Sequence, residues 1–162
     1  MWTRSWLLCG PLARWMNKSN YETELARHGR LVYTNVGDSM MPLLRQNRDL
    51  LVVEKKPGGP CKKYDAVLYK RPNGQYVLHR IIQVRPDGYV LCGDNRWRRE
   101  YGVQDDWILG VLTSVVRDGK EFSVHSWGYR LGVRLWTDLF WVRTLILRLR
   151  DRICREMRKR GK

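Results

Sequence analysis

The chain has no run of 18 uncharged apolar residues, the approximate length that a helix needs to cross a bilayer. A transmembrane helix is therefore not predicted. Residues 5–16 have the apolar character of a signal sequence, but Gly10, Pro11 and Arg14 interrupt them and no convincing cleavage motif follows. We interpret this segment as interfacial or poorly ordered.

Residues that bind transition metals are scarce, with four cysteines and three histidines in 162 residues. No two cysteines have the C-x-x-C spacing of a zinc site. The sequence thus predicts neither a metal site nor a cofactor. Scattered cysteines are typical of free thiols in a reducing compartment, although four cysteines can also pair.

Phenylalanine and acidic residues are also few. Two Phe stand against eight Trp and eight Tyr, and amphipathic aromatic residues suit surfaces with one wet side. Sixteen Asp and Glu against 31 Lys and Arg give a net charge of +15. A charge of this size favours an anionic partner, either nucleic acid or anionic lipid.

Three zones are predicted along the chain. Residues 1–36 form an N-terminal segment with a short helix from about residue 20 to residue 27, because Ser19 and Glu22 have capping-box spacing, and a strand over 31–36. Residues 37–125 form a β-domain, with strands over 50–53, 66–69, 76–84, 89–92, 108–116 and 122–124. Asn-Gly and Asp-Gly pairs between these runs are typical of hairpin turns.

Residues 126–162 form a basic helical tail with eleven Lys or Arg and three acids. Apolar residues recur there at helical spacing: Leu135, Leu139, Val142, Ile146, Leu149 and Ile153. A basic amphipathic helix of this kind lies on a membrane surface or packs on its own domain with its arginines in water. The sequence leaves both interpretations open.

A candidate nucleophile lies in residues 37–42 (GDSMMP), directly after a predicted strand. Gly37 permits a tight bend, and Ser39 follows at the head of a turn whose N–H groups could bind an oxyanion. Considered alone, Ser39 is better explained as a helix N-cap. Motifs farther along the chain change this assessment.

Two further residues could complete a catalytic group. His79 lies on a predicted strand, and histidine is the commonest base for activating a serine near neutral pH. Asp94 follows the next strand in a Gly-Asp-Asn turn, where a carboxylate could fix the imidazole tautomer. The structural alternatives are a half-buried histidine and an Asx-turn.

In their order, the motifs GDSMMP (37–42), LHRI (78–81), GDN (93–95) and ILGV (108–111) resemble those of type I signal peptidases and the related self-cleaving SOS-repressor domains. The resemblance spans residues 31–116. His79 replaces the lysine base of the bacterial enzymes and is similar to the base of the endoplasmic-reticulum and archaeal branch.

The resemblance implies that Ser39 is the nucleophile and His79 the general base. The cleft and oxyanion site would include Gly37, Asp38 and Met40, with the N–H of Ser39 as one donor. Some members of the family have a serine where Gly37 stands, so a second donor must come from elsewhere. We also recognise no N-terminal membrane anchor like that of the family.

The third catalytic residue has several candidates. Asp94 is the first, and Glu100 is the second because the histidine branch has another acid shortly after its Gly-Asp-Asn. Asp105 and Asp106 are the third.

The expected fold is mainly β: a signal-peptidase-like fold of short antiparallel strands, with a short N-terminal helix and a basic amphipathic C-terminal helix. The expected function is that of a serine endopeptidase cleaving signal or leader peptides from a peptide or preprotein substrate. Its expected location is peripheral on the cytoplasmic face of a membrane, through the tail, with the cytoplasm as the alternative. The oligomeric state is not predicted.

Two other functions remain open. The first is a non-catalytic β-domain whose tail binds nucleic acid or an anionic membrane. Nucleic acid is disfavoured, because the sequence shows no helix-turn-helix, aromatic RNA-binding signature or zinc finger. The second is a self-cleaving regulatory domain, for which no convincing scissile segment is found.

Overall fold

The computed structural model describes residues 20–160. The segment at residues 5–16 lies outside them. The elements are α1 (Asn20–His28), β1 (Arg30–Thr34), β2 (Leu50–Lys55), β3 (Ala66–Lys70), β4 (Tyr76–Arg85), β5 (Gly88–Cys92), β6 (Glu100–Val103), a 3-10 turn (Asp105–Trp107), β7 (Ile108–Arg117), β8 (Lys120–Ser123), α2 (Trp127–Asp138) and α3 (Phe140–Arg160).

The eight strands form one antiparallel sheet in the order β1-β2-β7-β3-β4-β5-β6, with β8 also paired to β7. The ten-residue strand β7 holds the sheet together, because β2 runs along one side while β3 and β8 share the other. The predicted mainly β fold with a short N-terminal helix is confirmed. β1, which the sequence placed in the N-terminal segment, pairs with β2 in the same sheet.

Two apolar clusters lie on the two sides of the sheet. In β3, Leu68 joins the larger cluster and Tyr69 the smaller one, because successive side chains of a strand point to opposite faces. β3 is therefore buried on both sides. All five of its residues pair with β4, the strand that carries His79.

The predicted hairpin turns are present. Asp118 and Gly119 have φ angles of 48° and 80°, the pair of positive angles that a type I′ turn requires. β6 was not predicted. It is four residues long and contains Gly102 at φ 68°, so its sequence carries little strand signal.

The tail forms two helices, where the sequence predicted one, and they meet at Leu139 (φ −79°, ψ 35°). The predicted apolar row is exposed to solvent: Leu135, Leu139, Val142, Ile146, Leu149 and Ile153 are each about half exposed. The residues that α3 buries are Arg143, Thr144 and Leu147. Within residues 20–160, no helix has the length and apolar character to cross a membrane.

Candidate active site

Ser39 lies in a turn that follows β1 and is anchored by neighbouring side chains in the core. Met40 and Leu44 are completely buried in the larger apolar cluster, and the Leu44 N–H donates to the Met40 carbonyl at 2.9 Å. Ser39 itself remains partly exposed. The turn therefore presents the serine at the surface, while Met40, which the sequence placed at the cleft, packs in the core.

Two polar contacts hold the same turn from the side. The Asn95 N–H donates to the Ser39 carbonyl at 2.7 Å, and the Arg96 guanidinium pairs with the Asp38 carboxylate at 2.5 Å. The hydrogen bond from Arg96 keeps the pKa of Asp38 below its usual range. Asp38 is thus a structural anion that ties the serine turn to the 93–96 turn, and Gly37 is exposed beside it.

His79 is held at the centre of the sheet, on β4. It pairs in register with Val67 of β3, so its side chain shares a face with Tyr69, two residues farther along β3. Only 7% of His79 is exposed. Its Nδ1 lies 3.0 Å from Glu100 Oε1 and 3.4 Å from the Tyr69 hydroxyl.

Glu100 is the carboxylate that meets the imidazole. The Tyr69 hydroxyl donates to Glu100 Oε2 at 2.8 Å, and Arg71 binds both carboxylate oxygens. Burial raises the pKa of Glu100, but the hydrogen bonds from His79, Arg71 and Tyr69 outweigh burial and lower the pKa to about 2. An ionised Glu100 accepts a hydrogen bond from the Nδ1–H tautomer of His79, and in that tautomer Nε2 carries no proton and can act as a base.

The free nitrogen Nε2 faces the serine turn across Gly93. A Cβ placed on Gly93 would lie 2.7 Å from the Ser39 carbonyl oxygen and 3.1 Å from His79 Nε2. Glycine is therefore required for this close approach, because any side chain would push the two elements apart. No hydrogen bond joins the Ser39 hydroxyl to His79 within residues 20–160; in free enzymes that bond is often long and tightens when substrate binds.

Asp94 does not contact His79. Its carboxylate receives two hydrogen bonds from Arg80, at 2.9 and 2.7 Å, and both side chains are fully buried. Arg80 also donates to the Tyr64 carbonyl at 2.9 Å. Asp94 raises the pKa of Arg80 against the opposing effect of burial. This pair holds the 93–96 turn on β4 and lies on the other side of the strand from the imidazole.

The remaining acid candidates lie elsewhere. The Asp105 carboxylate binds Lys56 and accepts a hydrogen bond from the Tyr89 hydroxyl at 2.7 Å. Asp106 is exposed in the 3-10 turn. Among the residues that the structure describes, neither carboxylate contacts His79.

The tail contributes three side chains that sequence reasoning missed. Trp136 Nε1 donates to the Asp94 carbonyl at 2.8 Å, Arg150 to the Asn95 side-chain oxygen at 2.7 Å, and Arg143 to the Arg96 carbonyl at 3.1 Å. All three acceptors belong to the 93–96 turn. No motif marks these donors, since a single tryptophan or arginine on a helix carries no signal of its acceptor.

Comparisons with protein-family models, with curated proteins and with solved structures found no match. Within the described part of the chain, no three His, Cys, Asp or Glu side chains converge on a metal-sized site. Cys61, Cys92 and Cys154 are free thiols. The site is therefore interpreted from its own geometry.

Proposed function

We propose that the chain is a serine endopeptidase with Ser39 as nucleophile, His79 as general base and Glu100 as the acid that orients the base. One observation carries the proposal: His79 Nδ1 is held by an ionised carboxylate while Nε2 faces the serine turn. A satisfied structural histidine does not need this combination of a buried carboxylate partner and a second nitrogen beside a partly exposed serine.

The reaction follows from these positions. Ser39 Oγ attacks the carbonyl carbon of a peptide bond, and its proton passes to His79 Nε2. Glu100 stabilises the imidazolium that forms. The tetrahedral intermediate collapses as Nε2 returns the proton to the leaving amine, and water then hydrolyses the acyl-enzyme by the same route.

An oxyanion donor is present in the serine turn. The Ser39 N–H makes no hydrogen bond within residues 20–160, so it is free to bind the developing negative charge. Its neighbours in the turn are fixed by Met40 and Leu44 in the core. The donor is therefore held in place before substrate binds.

The tail suggests that the enzyme works at a membrane surface. The apolar face of α3 is uncovered, with Trp141 84% and Leu145 69% exposed, while α3 packs on the domain through Arg143 and Leu147. Such a face, beside many arginines, suits the interface of an anionic bilayer. The substrate would then be a leader or signal peptide presented near that surface.

A peptide library digested by the protein tests the enzymatic part. New peptide termini identified by mass spectrometry should appear with the wild type and with Ser123→Ala, a control serine on β8, and be lost with Ser39→Ala. Cleavage that persists in purified Ser39→Ala protein would contradict the proposal. Cleavage by none of the three folded proteins would favour the non-catalytic binding function.

A further inference from the structure

A basic pocket lies between the 97–101 segment, which contains the start of β6, and the first turns of α3. Its volume is about 580 Å³. Its main lining residues are Trp97, Arg98, Arg99, Trp141, Leu145 and Arg148. The pocket adjoins the candidate active site along the chain, because Glu100 directly follows Arg99.

Three guanidinium groups in this pocket are held by aromatic rings. Arg98 and Arg148 lie 5.1 and 4.9 Å from the ring of Trp97, and Arg99 lies 4.2 Å from the ring of Phe140. None of the three arginines forms an ion pair with a carboxylate of residues 20–160. Stacking orients a guanidinium while leaving its N–H edge free for an anion.

The pocket favours a phosphate group. Arginine presents paired N–H donors that match the oxygens of a phosphate, and three such groups around one pocket offer more donors than a single carboxylate can accept. The nearby acids are already engaged, since Glu100 binds His79 and Arg71. An anion from outside the chain would therefore complete the site.

The rim of the pocket indicates where that phosphate comes from. Trp141 and Leu145 line the pocket and are also strongly exposed. They continue into the exposed apolar row of α3 that includes Val142, Ile146 and Leu149. A ligand that fits both parts is anionic at one end and apolar at the other. Tryptophan at the junction is typical of a protein surface at the headgroup level of a bilayer.

We propose that this pocket binds the headgroup phosphate of an anionic phospholipid while the apolar row of α3 lies in the acyl region. The proposal rests on the membrane association suggested above and is independent of the peptidase activity. It also gives the lipid a position: its phosphate contacts both α3 and the segment leading into Glu100.

Vesicle sedimentation tests the site, with phosphatidylcholine vesicles that contain or lack phosphatidylglycerol. The pocket variant is Arg98→Gln/Arg99→Gln/Arg148→Gln. The matched control is Arg130→Gln/Arg134→Gln/Arg152→Gln, which removes the same charge from positions on α2 and α3 outside the pocket. Binding to the anionic vesicles should fall about 100-fold in the pocket variant and about 10-fold or less in the control.

Three outcomes would overturn the proposal in distinguishable ways. Equal losses in the two variants would mean diffuse attraction without a pocket, with membrane association retained. Wild-type binding to neither kind of vesicle would remove the membrane association as well, while leaving the peptidase proposal untouched. Tryptophan fluorescence can compare the affinity for inorganic phosphate with the affinity for soluble dihexanoyl phosphatidylglycerol. Equal affinities would overturn the lipid assignment.

Discussion

Glu100 and Asp94 are carboxylates six positions apart that have different partners. Glu100 meets His79 Nδ1, whereas Asp94 neutralises the buried Arg80. The difference follows from the alternation of β4, because His79 and Arg80 are successive residues whose side chains leave opposite faces of the strand. Loss of Glu100 should therefore affect chemistry, and loss of Asp94 should affect folding.

The variants Glu100→Gln and Asp94→Asn separate these roles. Glu100→Gln should slow acylation of Ser39 in the folded protein about 100-fold, because the imidazole loses its orienting charge. Asp94→Asn should lower the free energy of unfolding by about 3–5 kcal/mol, because it leaves the Arg80 charge buried and unpaired. Acylation rates and urea unfolding measure the two effects. An acylation rate of the folded protein that falls with Asp94→Asn and not with Glu100→Gln would assign Asp94 as the acid.

The depressed pKa of Glu100 predicts an acid-dependent loss of stability. The pKa of Glu100 is about 2 in the folded chain, against 4.5 for the unperturbed group. The ionised form therefore stabilises the fold above about pH 4.5, and this contribution disappears as the pH falls through about 2. It is on the order of 3 kcal/mol.

Urea unfolding of the wild type and Glu100→Gln over the range from about pH 5 to about pH 2 measures it. The stability advantage of the wild type should shrink as the pH falls. An advantage that stays constant across this range would show that Glu100 is not held as an ion.

The order of the motifs singled out Ser39 and His79 as candidates, and the structure brings their segments together across Gly93. The choice of acid could not be predicted. The side of the sheet on which Glu100 lies depends on how β6 pairs with β5, where Leu91 pairs with Glu100. The sequence of β6 has too weak a strand signal for this pairing to be predicted. Residue types suggested the chemistry, whereas strand register decided which carboxylate contacts His79.

Among the elements, the tail helices bind the 93–96 turn, and this turn binds the turn that contains Ser39. Arg150 of α3 binds the Asn95 side chain, and the Asn95 N–H binds the Ser39 carbonyl. The Arg150 side chain is 46% exposed, so it adds little packing. We therefore expect Arg150 to be a positioning residue for the nucleophile.

Substitution Arg150→Met should reduce the acylation rate of Ser39 about fivefold, because one fixed contact of the turn is lost, while the free energy of unfolding changes by about 0.5 kcal/mol or less. Arg150→Lys should restore part of the rate. Arg152→Met is the matched control, because Arg152 is exposed on the same helix and makes no hydrogen bond with the 93–96 turn. Equal rates for Arg150→Met and Arg152→Met would contradict the positioning role.

The tail also shows what periodicity can predict. The spacing of apolar residues correctly predicted helix, but it could not decide which face of the helix meets the domain. The structure buries Arg143 and leaves Ile146 exposed, because the acceptors on the 93–96 turn bind polar donors of the tail. The break at Leu139 left no mark in the apolar spacing.

At the scale of the whole molecule, positive charge and exposed apolar surface occur together on the tail. Residues 126–162 contain eleven of the 31 Lys and Arg, and α3 presents an uncovered apolar face beside them. Binding to nucleic acid would use the charge but would leave this face in water. An anionic bilayer accounts for both features.

Removing apolar side chains from this face should weaken binding to the membrane and leave the fold intact. Ile146→Ser/Leu149→Ser should reduce binding to phosphatidylcholine vesicles that contain phosphatidylglycerol about 30-fold, because each side chain contributes about 1 kcal/mol or more when it enters lipid. Val36→Ser/Val84→Ser is the control, since those two exposed apolar residues lie outside the tail. Equal binding by the two variants would show that another surface meets the membrane.

Activation of Ser39 by His79 can be measured by labelling with an alkyl fluorophosphonate followed by mass spectrometry. Attack by Ser39 Oγ on phosphorus expels fluoride and leaves a stable adduct. We predict an adduct on Ser39 in the wild type and a rate at least about 100-fold lower in His79→Ala. Equal labelling of Ser39 in both proteins, or an adduct on another serine alone, would show that His79 does not activate Ser39.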